Sequence, residues 1–141
     1  MMTKDNEAYA YFSLAEFTED PAEITKRVGV EPTEFWKKSD VNPQTNLERR
    51  FNRWSLYSRL SRESELEDHI LDVLDQLDNN KEAFKAIINE QGWAMLQLVG
   101  YFHTYYPGFS LESKIINRIS EYNLAMDCDF YYLYSDERED S

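Results

Sequence analysis

Apolar residues alternate with polar ones along some stretches of this chain and recur every three or four residues along others, and the switches in period mark out the elements. Tyr9 to Phe17 is rich in aromatics and free of breakers, which predicts a first strand. Asp20-Pro21-Ala22-Glu23 supplies a capping side chain, a proline at the first helical position and a glutamate three residues after the cap. Ile24 and Val28 give that short helix its inner face, Gly29 ends it and Pro32 prevents continuation. Residues 33–50 follow as a long polar connection, with room for a short strand around Phe35-Trp36-Lys37.

Phe51 to Leu60 alternates, with Trp54, Leu56 and Leu60 on one side and Arg53, Tyr57 and Arg59 on the other, as in a half-buried strand. Ser64 and Glu67 form a second capping box, opening a helix whose inner stripe is Leu66, Ile70, Val73, Leu74 and Leu77. Asn79 and Glu82 predict a fresh cap and a helix from Lys81 to Gln91 that buries Phe84, Ile87 and Ile88. Trp93 to Tyr106 makes the longest strand, stopped by Pro107-Gly108; Ser110 then caps a helix with Ile115, Ile116 and Ile119 inside. Met126 to Tyr134 closes the pattern. Met126, Cys128, Phe130 and Tyr132 share its apolar face, and Asp127, Asp129 and Tyr131 share its polar one.

Strands separated by helices, with strands apolar on one side only, predict an α+β two-layer sandwich: a roughly four-stranded mixed or antiparallel sheet with helices packed on one face. The chain of 141 residues is the size of one domain, with an ordered core over about 8–134 and an acidic C-terminal tail over 135–141. Its 42% hydrophobic content, with eight Phe, ten Tyr and three Trp, is enough for a real core despite a net charge of -12.

The stretch from Tyr11 through Asp20-Pro21-Ala22-Glu23-Ile24 to Val28-Gly29-Val30-Glu31-Pro32 resembles the opening of a bacterial family known as domain of unknown function 4279. Trp54-Ser55-Leu56 is similar to its central strand, Leu66 to Leu77 to its leucine-paired helix, and Asp127-Cys128-Asp129-Phe130-Tyr131 to its closing strand. The resemblance runs over roughly residues 9–133 and departs at Ser39-Asp40, where the family shows a Gly-Asp pair. It implies a bacterial, cytosolic, free-standing α+β domain and brings no catalytic residues with it.

Charge narrows the range of partners. Residues 49–62 carry Arg49, Arg50, Arg53, Arg59 and Arg62 and no acid, and 63–78 carry Glu63, Glu65, Glu67, Asp68, Asp72, Asp75 and Asp78 and no base. A pI near 4.5 repels nucleic acid and anionic membranes, so neither direct nucleic-acid binding nor a membrane partner is expected. The polar start Met1 to Glu7 has no apolar stretch behind a positive head, no run reaches membrane-spanning length, and Cys128 is the sole cysteine, so a cytoplasmic location is expected.

Catalytic chemistry is poorly provided for. His69 lies at the edge of a helical stripe, His103 lies among tyrosines on a strand, and Cys128 alternates with Met126 and Phe130 as a small core residue would. Asp127 and Asp129 point the same way, but two carboxylates are too few for calcium, and their expected partners are Arg53 and Arg59 across the polar sheet face. No glycine-rich phosphate loop is present. No catalytic residue, metal or cofactor is therefore expected.

The expectation is a non-enzymatic protein-binding domain for a basic protein partner. The sharpest form is an immunity protein that neutralises a basic toxin nuclease, by analogy of size and charge. Glu65, Asp68, Asp72 and Asp75 are the expected electrostatic contacts, and Tyr57, Tyr101, Tyr105 and Tyr131 the aromatic anchors. The alternative is a small-molecule-binding or hydrolytic domain with a pocket between sheet and helices, using His103, Asp127 and Asp129.

Overall fold

The computed structural model describes residues 5–91 and 93–133; Tyr134 and the acidic tail assigned to 135–141 lie outside them. The elements are β1 (Glu7–Ala15), α1 (Pro21–Val28), β2 (Glu34–Trp36), β3 (Arg53–Tyr57), α2 (Leu66–Leu77), α3 (Lys81–Gln91), β4 (Ala94–Phe102), α4 (Ser113–Glu121) and β5 (Ala125–Tyr132). The strands form one mixed sheet in the order β2-β3-β1-β4-β5, antiparallel throughout except for the parallel β4–β5 pair. The α+β class holds, with five strands where four were expected; the fifth is the short β2 inside the long connection.

Strand alternation sends Ala8, Ala10, Phe12 and Leu14 of β1, Trp54 and Leu56 of β3, and Leu96 and Leu98 of β4 into the core. The helices return Ile24, Val28, Ile70, Val73, Leu74, Phe84, Ile87 and Ile115 onto that face. Phe12, Trp54 and Phe84 meet edge-on or tilted with ring centroids 5.8–6.2 Å apart. The Trp54 indole N–H donates to Thr25 Oγ1 at 2.9 Å, so the largest core side chain also fixes α1 to β3.

Several boundaries move for local reasons. Asp20 caps α1 as expected, accepting from the Ala22 amide at 2.9 Å, and Gly29 takes φ 69°. The capping box expected at Ser64 and the cap expected at Ser110 do not form: α2 and α4 start after Glu65 and Glu112, and neither makes a side-chain cap. Asp78–Asn80 form a 3-10 turn leading directly into α3, in place of a fresh cap at Asn79. Ile116 is exposed rather than inside, where Tyr122 is buried instead. β4 ends at Phe102 because Asn6 Oδ1 accepts from the His103 and Thr104 amides, taking up their hydrogen bonds; Tyr105 is therefore on a loop. The tight turn at Ser39-Asp40 forms without glycine, with Ser39 at φ 78° and Asp40 accepting from the Lys37 amide.

Candidate functional site

The sheet face away from the helices has no covering layer among the described residues, and alternation places a run of tyrosines on it. Tyr57 of β3 stacks on Tyr11 of β1 at 4.5 Å and lies 6.0 Å from Tyr9, while Tyr101 of β4 stacks on Tyr131 of β5 at 5.2 Å. The gap is closed by Tyr9 and Tyr101, whose phenols interact; burial first, then the neighbouring Tyr101, pushes the Tyr9 phenol up to about 12. Tyr57 is likewise pushed up, first by burial and then by Glu34, which accepts its hydroxyl at 3.2 Å. The result is a tyrosine belt across four strands, running from partly buried Tyr57 to Tyr131, which is 47% exposed. Three of the four expected aromatic anchors (Tyr57, Tyr101 and Tyr131) lie in this belt. Tyr105 does not; it lies on the loop after β4.

The arginine cluster is largely occupied by the protein itself. Arg49 lies over Trp36 at 3.7 Å, and Arg62 lies over Tyr9 at 4.6 Å and near Glu7. Arg53 donates to Ser13 Oγ at 2.8 Å and to the Tyr11 hydroxyl at 3.2 Å. The expected pairing of Arg53 and Arg59 with Asp127 and Asp129 is not present. β1 and β4 lie between β3 and β5, a separation of roughly 14 Å at ordinary strand spacing. Arg59 is instead on Asp72.

That pairing changes the picture of α2. Asp72 accepts from the Arg59 amide at 2.8 Å, from its guanidinium at 2.8 Å and from Gln76 at 3.1 Å, with its own side chain only 11% exposed. Burial pushes its carboxyl up, but the hydrogen bonds from Arg59 outweigh this and hold it below the usual value. Arg118 of α4 reaches Asp75 at 3.0 Å and Asp78 at 2.8 Å, and Tyr122 also donates to Asp78. Of the four expected acidic contacts, Glu65 and Asp68 have no ion pair among the described residues, whereas Asp72 and Asp75 do. The helix and the tyrosine belt also lie on opposite sides of the sheet.

At the other end of the sheet, β5 is exposed along nearly its whole length. Its residues Met126 and Cys128 point to the helix side, but the helix layer does not reach them. Met126 is 43% exposed and Cys128 is exposed, contrary to the expected core placement. Partial desolvation by the surrounding chain, then Asp127 and Asp129, push the thiol of this exposed Cys128 up, which keeps it protonated and a poor nucleophile. Asp129 accepts from Gln97 at 3.1 Å, and no cation among the described residues pairs with Asp127 or Asp129. Gly100 faces Phe130 across the ladder because a Cβ there would sit 2.6 Å from the Phe102 ring and 3.2 Å from that of Phe130.

The groups invoked for hydrolysis do not converge. Asp127 pairs with Gln97, six residues before His103, and Asp129 pairs with Val99, four residues before it; along a strand these are separations of roughly 20 and 13 Å. His69 is fully buried, with Nδ1 2.6 Å from Ser58 Oγ. A cleft of about 180 Å³ lies between the start of β1, the start of α2 and the 105–109 loop; it brings Glu65 together with Tyr105, Arg62 and Phe109 but includes no histidine. Among the described residues, no group of three His, Cys, Asp or Glu side chains could hold a metal ion, and no helix is long and apolar enough to cross a membrane.

Fold and surface together define a two-layer α+β domain with an aromatic open sheet face. The chain belongs to the family described as Domain of unknown function (DUF4279), whose model matches residues 6–133. No curated protein and no solved structure matches it. The signal sequence reasoning missed was strand order: the Tyr9–Tyr11–Tyr57 stack needs β1 beside β3, which alternation alone does not specify.

Proposed function

We propose that the protein is a non-catalytic binding domain that engages a basic protein through the open face of its sheet. The tyrosine belt is the observation that carries this reading. Tyr9, Tyr11, Tyr57, Tyr101 and Tyr131 offer continuous, pre-ordered aromatic area, and tyrosine supplies contact area with little side-chain entropy to lose. Asp127 and Asp129 beside the exposed end of the belt give it a negative border, and the net charge of -12 adds long-range attraction for a cation-rich partner. Glu65 and Asp68 extend that field on the far side of the molecule. The finer reading is an immunity protein that neutralises a basic toxin nuclease in the cytoplasm; it rests on size and charge.

The test is capture of partners from the host at low salt, followed by reconstitution with the purified partner. A basic partner is expected, with affinity falling about tenfold or more in Tyr101→Ala/Tyr131→Ala. An acidic partner, or a complex indifferent to both tyrosines, would overturn the reading. For the finer form, co-expression should abolish the toxicity of a captured nuclease. The cleft near Glu65 does not favour the small-molecule alternative: it is about 180 Å³, below the roughly 300 Å³ at which ligand pockets begin.

A further inference from the structure

The two edges of the sheet are finished differently. β2 is three residues long and runs into the 37–52 connection, which folds back through a Val41–Glu48 bridge and a bond from the Lys38 amide to Asn52 Oδ1 at 2.7 Å. Short edges of this kind offer little for another chain to pair with. β5 runs for eight residues and, among the described residues, has β4 as its sheet neighbour on one side only. The Leu133 amide donates to the Phe102 carbonyl at 2.9 Å, so the odd-numbered backbone groups of β5 face β4. Alternation then turns the amides and carbonyls of Met126, Cys128 and Phe130 outward.

β5 lacks the usual blunting devices. It contains no proline, lysine or arginine, and its register with β4 runs unbroken from Ala125 to Tyr132 without a bulge. Met126 and Cys128 leave its helix-side face apolar and open, while Asp127 and Asp129 mark the other face at alternate positions. No cation among the described residues pairs with either aspartate.

Those aspartates select what can add to the edge. A second copy pairing antiparallel about a two-fold axis through Asp127, Cys128 or Asp129 places an aspartate opposite an aspartate each time, which is destabilising. A strand with lysine or arginine at alternate positions meets the opposite situation. We propose that the outer edge of β5 accepts an extended segment of a basic protein as a sixth strand. Cationic side chains of that segment flank Asp127 and Asp129, and apolar ones lie beside Met126, Cys128 and Phe130. Main-chain bonds supply affinity and the alternating side chains supply selectivity, as in other cases of strand addition. This inference rests on the reading that the partner is basic, and it adds the surface and conformation by which that partner binds.

The test uses the full chain, isotope-labelled, with a synthetic peptide matching the eight residues of β5 in length and alternating lysine and valine. In the free protein the Met126, Cys128 and Phe130 amides should exchange quickly; slow exchange there would show the edge already covered by this chain's own tail or a second copy, and would overturn the proposal. Adding the peptide should slow exchange at those three amides. Asp127→Asn/Asp129→Asn should weaken binding about tenfold. Cys128→Pro, which removes an outward amide while leaving the β4 ladder, should do the same, and the double aspartate variant keeps the test decisive if that variant does not fold. A glutamate–valine peptide should not bind; equal binding of both peptides would overturn the proposal. If the lysine peptide binds and perturbs only the tyrosine belt or α2, the edge proposal fails while the basic-partner reading survives. If it binds nowhere while the captured basic protein still binds, the edge proposal again fails alone.

Discussion

Helix α2 and strand β5 both present aspartates at regular spacing, yet the two sets are not equally available. On α2, Asp72 is clasped by Arg59 from the end of β3, and Asp75 by Arg118 from α4. On β5, Asp127 and Asp129 face no cation among the described residues. The difference is positional. α2 lies in the middle of the molecule, packed across β1 and flanked by β3 and α4, so arginines reach it from both sides. Among the described residues, β5 is the last strand of the sheet, with a neighbour on one side only. Charge counted along a sequence is therefore not the charge a partner meets; topology decides which carboxylates remain free.

Stability measurements can break this comparison. The largest effect is expected at Asp72: replacing it with alanine removes charge-assisted bonds to Arg59 and should cost about 2 kcal/mol in urea unfolding. Asp68→Ala, one turn earlier, should stay within about 0.5 kcal/mol. Equal costs at the two sites would erase the distinction drawn along the helix.

Next is the pH dependence contributed by His69, on the buried side of the same helix. Burial, partly opposed by Asp72 and Asp68, lowers its pKa from 6.5. Below pH 6.5 the unfolded chain binds a proton that the folded chain does not, so stability should fall with pH from there down to the folded value, at up to about 1.4 kcal/mol per pH unit. His69→Gln should flatten that segment of the stability curve, while Asp127→Asn/Asp129→Asn should leave it in place.

Smaller still is the effect of Arg118→Gln, expected to cost about 1 kcal/mol because its ion pairs are partly exposed. It would also free Asp75 and remove the cation beside Asp78, which keeps its bond from Tyr122, giving a basic peptide a second site on the helix face, detectable as new amide shifts there. The smallest effect belongs to β5, where Asp127→Asn/Asp129→Asn should change stability by less than about 0.5 kcal/mol.

The sequence made the layers legible because helix and strand periods are local: Ile24 and Val28, the α2 leucine stripe, and the Trp54–Leu56 alternation all landed in the core. The Asp20 cap and the Gly29 stop were likewise readable from adjacent residues. What escaped depends on neighbours distant in sequence. Asn6 ends β4 from the far end of the chain, nearly a hundred residues away. Cys128 has core-like alternation, but no helix among the described residues extends over it, and it is exposed. Of the expected contact residues, Tyr57, Tyr101 and Tyr131 share one face, while the partners of Asp72 and Asp75 became visible only once β3 and α4 were placed beside α2.

The most direct measurement compares charge reversal at the two acidic regions against one basic strand. Affinity for the lysine–valine peptide should fall by about a hundredfold in Asp127→Lys/Asp129→Lys and by less than about threefold in Glu65→Lys/Asp68→Lys. The opposite ranking, with the helix pair controlling affinity and the strand pair indifferent, would contradict the account.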